Sequence, residues 1–190
     1  MQKIQTTGMA WQFMKEAVPE GGTVIDATMG RGNDTVYLCE LVGAQGKVLA
    51  FDVQQEAVES TRQRLGEAGY MERVRLIQDS HEYMEHYVQS GTVDGIMFNF
   101  GYLPRADHKI STRADTSLRA IEAGLRLLKR GGVISLCIYQ GKDTGFEEKE
   151  KILEYLKQLS YKQYTVAVCE LYNRPNNPPI FAGIVKDSER

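Results

Sequence analysis

The sequence predicts an α/β fold with a doubly wound, mostly parallel sheet of seven strands and an antiparallel last strand. Short apolar runs alternate along the chain with segments of helical periodicity, which is the pattern of βα units. The final strand follows a proline-rich turn at 173–179, and this turn is too short for a helical crossover. We therefore expect the last strand to pair antiparallel with the strand before it.

Apolar runs, helical spacing and breaking residues place each element in order. Strands are expected at 23–26, 47–52, 74–78, 93–99, 133–139, 161–171 and 180–185. Helices are expected at 9–18, from a cap at Asn33 or Asp34 to about Gly43, and at 54–65, 80–87, 111–129 and 147–159. A glycine pair at 131–132 is expected to end the long fifth helix of this series.

The chain of 190 residues is predicted to be a single domain, 1–190, because this length suits one well-buried core. No repeat or linker divides it. No apolar run approaches the roughly 20 residues that span a bilayer, and residues 1–7 have no signal-peptide core. We expect a cytoplasmic protein that does not bind a membrane.

Charge and cysteine content exclude several classes of protein. The formal net charge of −2 argues against a general nucleic-acid coat, although a local basic patch remains compatible with it. Cys39, Cys137 and Cys169 are far apart and form no Cys-x-x-Cys or Cys/His cluster. We expect buried thiols, with neither a disulfide framework nor a metal site.

The segment 23–35 is typical of a strand, a glycine turn and a helix. In a parallel sheet this turn lies at the carboxyl end of the strands, where α/β folds bind ligands. Gly30 and Gly32 let the backbone come close to a ligand, because neither residue has a Cβ.

Three successive predicted strands end at or before an acid, namely Asp26, Asp52 and Asp79. Since these strands are neighbours in the predicted sheet, the three carboxylates should line one cleft. Asp52 is expected to accept hydrogen bonds from both ribose hydroxyls of an adenosine. Asp79 is expected to accept from the adenine amino group while the Ser80 amide donates to a ring nitrogen. Asp26 is expected to attract the ammonium of a methionine tail, directly or through water.

The ligand that this arrangement predicts is S-adenosylmethionine, with Thr28, Asn33, Asp34 and Gln54 completing the expected cofactor-binding set. NAD is the competing ligand, but Thr35 stands where its fingerprint has a third glycine. Acids beside the turn suit a cationic tail and repel a pyrophosphate. The alternatives to a methyltransferase are an NAD-binding oxidoreductase and a nucleotide-sensing module without catalysis.

The sequence Asn-Phe-Gly-Tyr-Leu-Pro at 99–104 predicts the reaction. It stands where class I methyltransferases that act on nitrogen carry an Asp/Asn-Pro-Pro-aromatic loop. The side-chain oxygen of Asn99 would accept N–H bonds from an attacking amine and direct its lone pair, so that positioning supplies most of the rate. Phe100 or Tyr102 is expected to stack on a flat base. Phe-Gly replaces Pro-Pro here, so the target need not be an exocyclic base amine.

The runs 26–35 and 99–104, with Asp107-His108 and the later Asn177-Pro178-Pro179, resemble those of small bacterial methyltransferases first labelled rRNA methylases. The resemblance covers nearly the whole chain and implies a Rossmann-like class I methyltransferase. Members of that family methylate the amine of 5-aminomethyl(-2-thio)uridine at the tRNA wobble position, giving the 5-methylaminomethyl form. An rRNA base is the alternative substrate.

A primary alkyl amine must lose a proton before it attacks, and His81, His108 or water is the expected acceptor. The expected catalytic set is therefore Asn99, Tyr102, His81 and His108. Basic residues beside the methyl site should contact phosphates of an anticodon stem-loop, unless they only form a solvated face. The expected substrate-binding set is Phe100, Gly101, Pro104, Arg105, Lys109, Arg113, Tyr139 and Asn177. A homodimer is compatible with the sequence but rests on no particular residue.

Overall fold

The computed structural model describes residues 4–101, 114–140 and 145–187. Its α-helices are α1 (Thr6–Ala17), α2 (Asn33–Val42), α3 (Gln55–Ala68), α4 (Ala114–Leu127) and α5 (Gly145–Gln158). Its strands are β1 (Thr23–Asp26), β2 (Lys47–Asp52), β3 (Val74–Gln78), β4 (Val93–Phe100), β5 (Leu128–Ile138), β6 (Tyr164–Cys169) and β7 (Ile180–Lys186). Short 3₁₀ helices cover Met71–Arg73 and His81–His86.

The strands form one seven-stranded sheet in the order β3-β2-β1-β4-β5-β7-β6. β1 to β5 pair in parallel, whereas β7 is antiparallel to both of its neighbours, β5 and β6. The predicted doubly wound sheet with an antiparallel last strand is therefore confirmed. β7 lies between β5 and β6, so β6 forms an edge of the sheet.

Helices cover both faces of the sheet, which explains why the central strands are apolar along their length. Side chains alternate between the faces. Val24 and Met97 pack in a cluster with residues of α1, α2 and α3. Ile25 and Phe98 belong to the opposite cluster, which contains residues of α4 and α5. The sheet is thus held between two helical layers, and its carboxyl edge is left for ligands.

Several predicted boundaries are wrong. α1 begins at Thr6, before the predicted start at residue 9. α4 ends at Leu127 and β5 begins one residue later, where Leu128 pairs with Val93. Lys129 therefore lies in the strand, with its ammonium on Asp94, and the predicted helix end at this residue is wrong. β6 is shorter than the predicted 161–171, because the chain turns until Tyr164. Residues 111–113 of the predicted helix lie outside the described residues.

The predicted cysteine burial holds at two positions and fails at one. Cys39 and Cys137 are buried, and burial raises the pKa of each thiol to about 12. Cys169 is exposed, because the edge position of β6 leaves that strand without a covering neighbour.

No described helix is long and apolar enough to cross a membrane. Within the described ranges, no three His, Cys, Asp or Glu side chains form a group that could hold a metal ion.

Gly46 provides a test of the packing between α2 and β2. A Cβ at this position would lie 2.2 Å from the Cβ of Val42, so the backbone itself would have to shift. We expect Gly46→Ala to lower the free energy of unfolding by about 1–3 kcal/mol in urea denaturation. Gly66→Ala is the matched control: a Cβ there meets nothing within 4 Å, and alanine should raise stability by about 0.5–1 kcal/mol. A Gly46→Ala protein as stable as the wild type would contradict this packing.

Candidate active site

The predicted acids lie together at the carboxyl edge of the sheet. Asp26 and Asp52 are the last residues of β1 and β2, and Asp79 follows β3 directly. In the register of the sheet, Asp26 stands beside Ala50 and Asp52 beside Gln78. The three carboxylates therefore belong to three adjacent strands at one edge.

The turn after β1 depends on its glycines. Gly30 and Gly32 have φ values of 48° and 77°, in the left-handed region that favours glycine. The N–H of Gly30 donates to Oδ2 of Asp52 at 3.1 Å, so the turn is tied to the end of β2. Gly32 is the N-cap of α2 and no side chain caps this helix, so the prediction of a cap at Asn33 or Asp34 is wrong. Both residues lie in the first helical turn instead.

Asp26 is fully buried and already has two hydrogen-bond donors. The Thr28 N–H lies 3.2 Å from Oδ1, and the Thr35 hydroxyl donates to Oδ2 at 2.6 Å. Burial, and then the charge of Asp34, raises the pKa of Asp26 to about 7. A cation at this edge would favour the ionised form. That preference is the electrostatic basis for the predicted attraction of an ammonium.

Asp52 has acceptor capacity for a ribose. Its oxygens accept the N–H groups of Gly30 at 3.1 Å and Gln54 at 3.0 Å. A carboxylate has about four acceptor positions, and the backbone of Val53 also acts as a donor to Asp52, so acceptor capacity remains for a ribose hydroxyl. Burial raises the pKa of Asp52, while the backbone donors oppose that shift. The half-buried carboxylate therefore fits the predicted contact with an adenosine.

Asp79 is fixed by two neighbours. Its Oδ1 accepts the Ser80 N–H at 2.7 Å, and its Oδ2 accepts the Tyr87 hydroxyl at 2.7 Å. The Ser80 amide thus already has an acceptor, and donation to an adenine nitrogen requires a shared hydrogen bond. Tyr87 is a positioning residue that the sequence analysis did not identify, because a tyrosine in a short helix carries no specific signal.

Asn99 is held through both its backbone and its side chain. The backbone N–H donates to Oγ1 of Thr28 at 2.8 Å, and Nδ2 donates to Oδ2 of Asp34 at 2.6 Å. Since an ionised carboxylate only accepts, the amide nitrogen of Asn99 must face Asp34. The amide oxygen is then directed away from Asp34, as the predicted role in orienting an amine requires.

Trp11 is a site residue that sequence reasoning missed. Its Nε1 donates to Oδ1 of Asp34 at 2.6 Å, so Trp11 and Asn99 share one carboxylate. The indole stacks on Tyr37 with a ring-centroid distance of 4.5 Å, and the Tyr37 hydroxyl donates to the Trp11 carbonyl. The sequence offered only a single tryptophan in an apolar helix, which is more typical of a core residue.

His81 packs its ring edge-on against Phe98 and Phe100. Its Nδ1 lies 3.2 Å from the carbonyl oxygen of Ala27. Because a carbonyl only accepts, Nδ1 carries the proton and Nε2 keeps a free lone pair. Burial lowers the pKa of His81, which favours the neutral ring. His81 therefore stays a candidate proton acceptor.

The prediction that Phe100 stacks on a base is wrong. Phe100 is 0% exposed and stacks on Phe98 within the core, at a centroid distance of 5.0 Å. Neither face of its ring is open to a substrate.

The remaining predicted substrate residues are at the same end of the sheet or outside the described residues. Gly101 faces Tyr139, and a Cβ on Gly101 would lie 3.0 Å from the Cβ of Tyr139. Burial raises the pKa of Tyr139 to about 12. Asn177 is exposed in the turn before β7. The positions that cannot be placed, because they lie outside the described residues, are Tyr102, Pro104, Arg105, His108, Lys109 and Arg113.

Comparison with known proteins gives the family. The model of the rRNA_methylase family, described as "Putative rRNA methylase", matches residues 48–185. The chain belongs to this family. A curated relative from Arabidopsis thaliana, "tRNA (mnm(5)s(2)U34)-methyltransferase, chloroplastic", is 37% identical over 183 residues, which are 92% of this chain and 67% of the relative.

Two crystal structures share the fold over their whole length. A protein of Clostridium thermocellum described as a "putative rRNA-methylase" is 44% identical with a TM-score of 0.95. The match covers 98% of this chain and 100% of the Clostridium chain. A protein of Streptococcus mutans described as a putative methyltransferase in complex with SAH is 34% identical with a TM-score of 0.88, over 97% of this chain and 99% of its own. The matches confirm the predicted family, the class I fold and an S-adenosylmethionine-dependent methyltransferase. The NAD-binding alternative is wrong.

Trp11→Phe tests the link from α1 to Asn99. The variant keeps the stacking on Tyr37 but removes the N–H that holds Asp34. A hydrogen bond to a charged group contributes about 1.5–3 kcal/mol, so we expect at least a roughly tenfold loss in single-turnover methyl transfer. Affinity for S-adenosylhomocysteine, measured by calorimetry, should stay the same. Tyr37→Phe is the control, because it leaves the indole N–H in place, and an equal loss of rate in both variants would refute the link.

Asp26 should make the free energy of unfolding depend on pH. Its pKa is raised from 3.8 to about 7, so the folded protein binds more protons than the unfolded chain between these values. This contribution to stability is complete below the unfolded pKa and is lost as the pH rises through about 7. Relative to Asp26→Asn, the wild type should lose up to about 1.4 kcal/mol per pH unit in urea unfolding between pH 5 and 7. Parallel pH profiles would show that Asp26 is not the titrating group.

Proposed function

We propose that the protein transfers a methyl group from S-adenosylmethionine to the primary amine of 5-aminomethyl(-2-thio)uridine at the wobble position of tRNA. The observation that carries this proposal is the orientation of Asn99: Asp34 holds its amide nitrogen, and its amide oxygen has no hydrogen-bond partner among the described residues. The Arabidopsis relative, similar over nearly the whole chain, supports this substrate. An rRNA base, the alternative, has the family description as its support.

The cofactor, when bound, supplies a methyl group on a positively charged sulfonium. The turn at Gly30 and Gly32 would bring backbone close to it, and Asp52 would accept hydrogen bonds from the ribose hydroxyls. Asp79 would accept a hydrogen bond from the adenine. Asp26, whose pKa is raised by burial, gains from the positive charge of the ligand. This set of residues fits a cationic adenosine derivative better than a pyrophosphate.

The amine must be neutral when it reacts. An alkyl ammonium has a pKa near that of lysine, about 10, so the substrate arrives mostly protonated. Nε2 of His81, or a water, takes the proton, and Asn99 Oδ1 accepts one remaining N–H. With the amine held in this way, Asn99 would orient the nitrogen lone pair for attack, and positioning would supply most of the rate. No covalent intermediate with the protein is required.

The proposed partner is the anticodon stem-loop of a tRNA, and we infer that the protein meets it in the cytoplasm. Phosphate contacts are assigned to Arg105, Lys109 and Arg113, which lie outside the described residues. Their support is their charge and their nearness to Asn99 in the sequence.

Nucleoside analysis of tRNA tests the proposal. In a strain without this gene, mass spectrometry of digested tRNA should show 5-aminomethyl(-2-thio)uridine accumulating in place of the methylated form. The wild-type gene should restore the methylated nucleoside. Unchanged wobble uridines in the deletion strain would remove the tRNA assignment.

The same strain separates the roles of two residues. Complementation with Asn99→Ala should fail, and the purified variant should bind S-adenosylhomocysteine normally while methyl transfer falls by about a hundredfold. Asp52→Ala should mainly weaken S-adenosylhomocysteine binding, by about tenfold or more, since it loses hydrogen bonds to a charged acceptor. A normal rate with Asn99→Ala would show that the amine is oriented by another group.

A further inference from the structure

A cavity of about 430 Å³ lies beside the proposed methyl-transfer site. Its walls are the start of α1, Tyr139 directly after β5, and the segment between β6 and β7. This volume lies within the usual range of sites for small ligands. Of the residues that line it, only Tyr139 was assigned a role in the site described above.

Tyr139, which lines the cavity, also contacts the end of β4. The N–H of Tyr139 donates to the Phe100 carbonyl at 3.0 Å, and the Tyr139 Cβ faces Gly101. In the sheet, Cys137 pairs with Asn99. Only Ile138 thus separates Cys137, the partner of Asn99, from Tyr139 in the cavity wall. A group bound in the cavity is a neighbour of a group that reacts at Asn99.

The wall formed by the turn before β7 is held in place. The Thr6 hydroxyl donates to the Pro179 carbonyl at 2.8 Å, and Gln140 Nε2 donates to the Pro178 carbonyl at 3.0 Å. Asn176 and Asn177 have φ values of 64° and 48°, a conformation that costs energy outside glycine. The cavity is therefore shaped before a ligand arrives, which lowers the entropic cost of binding.

The chemistry of the walls favours a flat, anionic ligand. Tyr139 and the prolines at 175, 178 and 179 offer flat apolar surfaces. Arg174 is the one charged side chain among the described residues that line the cavity, and no acid is among them. Within the described ranges, no hydrogen bond or ion pair engages the Arg174 guanidinium. Tyr172, two residues away, is 98% exposed and free to stack.

We propose that the cavity is a second RNA-binding site, which holds a nucleotide adjacent to the one that is methylated. The base packs against Tyr139 and the prolines, and its phosphate contacts Arg174, whose planar guanidinium suits a phosphate. This inference rests on the proposed function, since it takes RNA as the substrate. The second site would add a contact that fixes the position of the anticodon loop of the RNA relative to Asn99.

Arg174→Ala tests the phosphate contact, with a synthetic anticodon stem-loop as the probe. We expect binding, measured by fluorescence anisotropy, to weaken by about tenfold. The slope of log affinity against log salt should become shallower by about 0.7, the loss of one phosphate contact to a single strand. S-adenosylhomocysteine should bind as before. Lys162→Ala is the charge-matched control: Lys162 is exposed at the opposite end of β6, and its removal should leave the salt slope unchanged.

Thr7→Trp tests the base contact, because Thr7 lines the cavity and a large ring there would occupy part of it. This variant should also weaken RNA binding by about tenfold. An RNA that lacks the base next to the target should bind the wild type more weakly than the intact RNA does. The Thr7→Trp variant should bind these two RNAs with equal affinity. Unchanged thermal unfolding of the variant establishes that it is folded.

The outcomes separate the two proposals. Weaker binding in both variants, with the shallower slope in Arg174→Ala, supports the second site. Wild-type affinity and slope in both variants overturn the second site, while methylation of the RNA by these proteins leaves the proposed function intact. A wild type that neither binds nor methylates the RNA overturns both proposals. Uridine monophosphate binding as tightly as the stem-loop would identify a mononucleotide site and overturn the RNA contact.

Discussion

The carboxylate of Asp34 is the contact on which the geometry of the candidate active site depends. Its two oxygens accept from Trp11 and from Asn99, so a single side chain connects α1, α2 and β4. Either donor alone would leave the carboxylate free to rotate. With both bonds made, the amide nitrogen of Asn99 is held at Asp34, and its amide oxygen is directed away from that carboxylate. A helix that precedes the sheet thereby contributes to the orientation of a residue at the end of β4.

The electrostatics of the same edge follow from burial. Asp26 is removed from water, and its pKa rises to about 7, while Asp34 adds a second negative charge nearby. Such an arrangement is unfavourable in the free protein and is relieved by a positively charged ligand. Hydrogen bonds from Thr28 and Thr35 reduce the cost without removing it. The acids thus favour a cationic cofactor, and their position selects for it over a pyrophosphate.

Three of the wrong predictions concern residues whose environment comes at least partly from distant parts of the chain. Phe100 stands in a loop-like motif yet belongs to the core, since β4 is one residue longer than predicted. Cys169 is apolar by type yet exposed, because β6 lies at the edge. Asp34 looks like a helix cap, but Gly32 takes the cap position and distant donors take its oxygens.

The sequence by itself determined the order of the elements, the parallel sheet with its antiparallel last strand, and the acids at the ends of β1, β2 and β3. These features depend on local periodicity, on turn residues and on the number of residues between strands, and all three can be read directly from the sequence. The tertiary structure decided that β7 lies between β5 and β6, that Trp11 reaches Asp34, and that Tyr139 and Arg174 share a cavity. Each of these contacts joins residues far apart in sequence, and no local preference encodes such a pairing. They arise only when the helices pack on the sheet and bring the ends of its strands together.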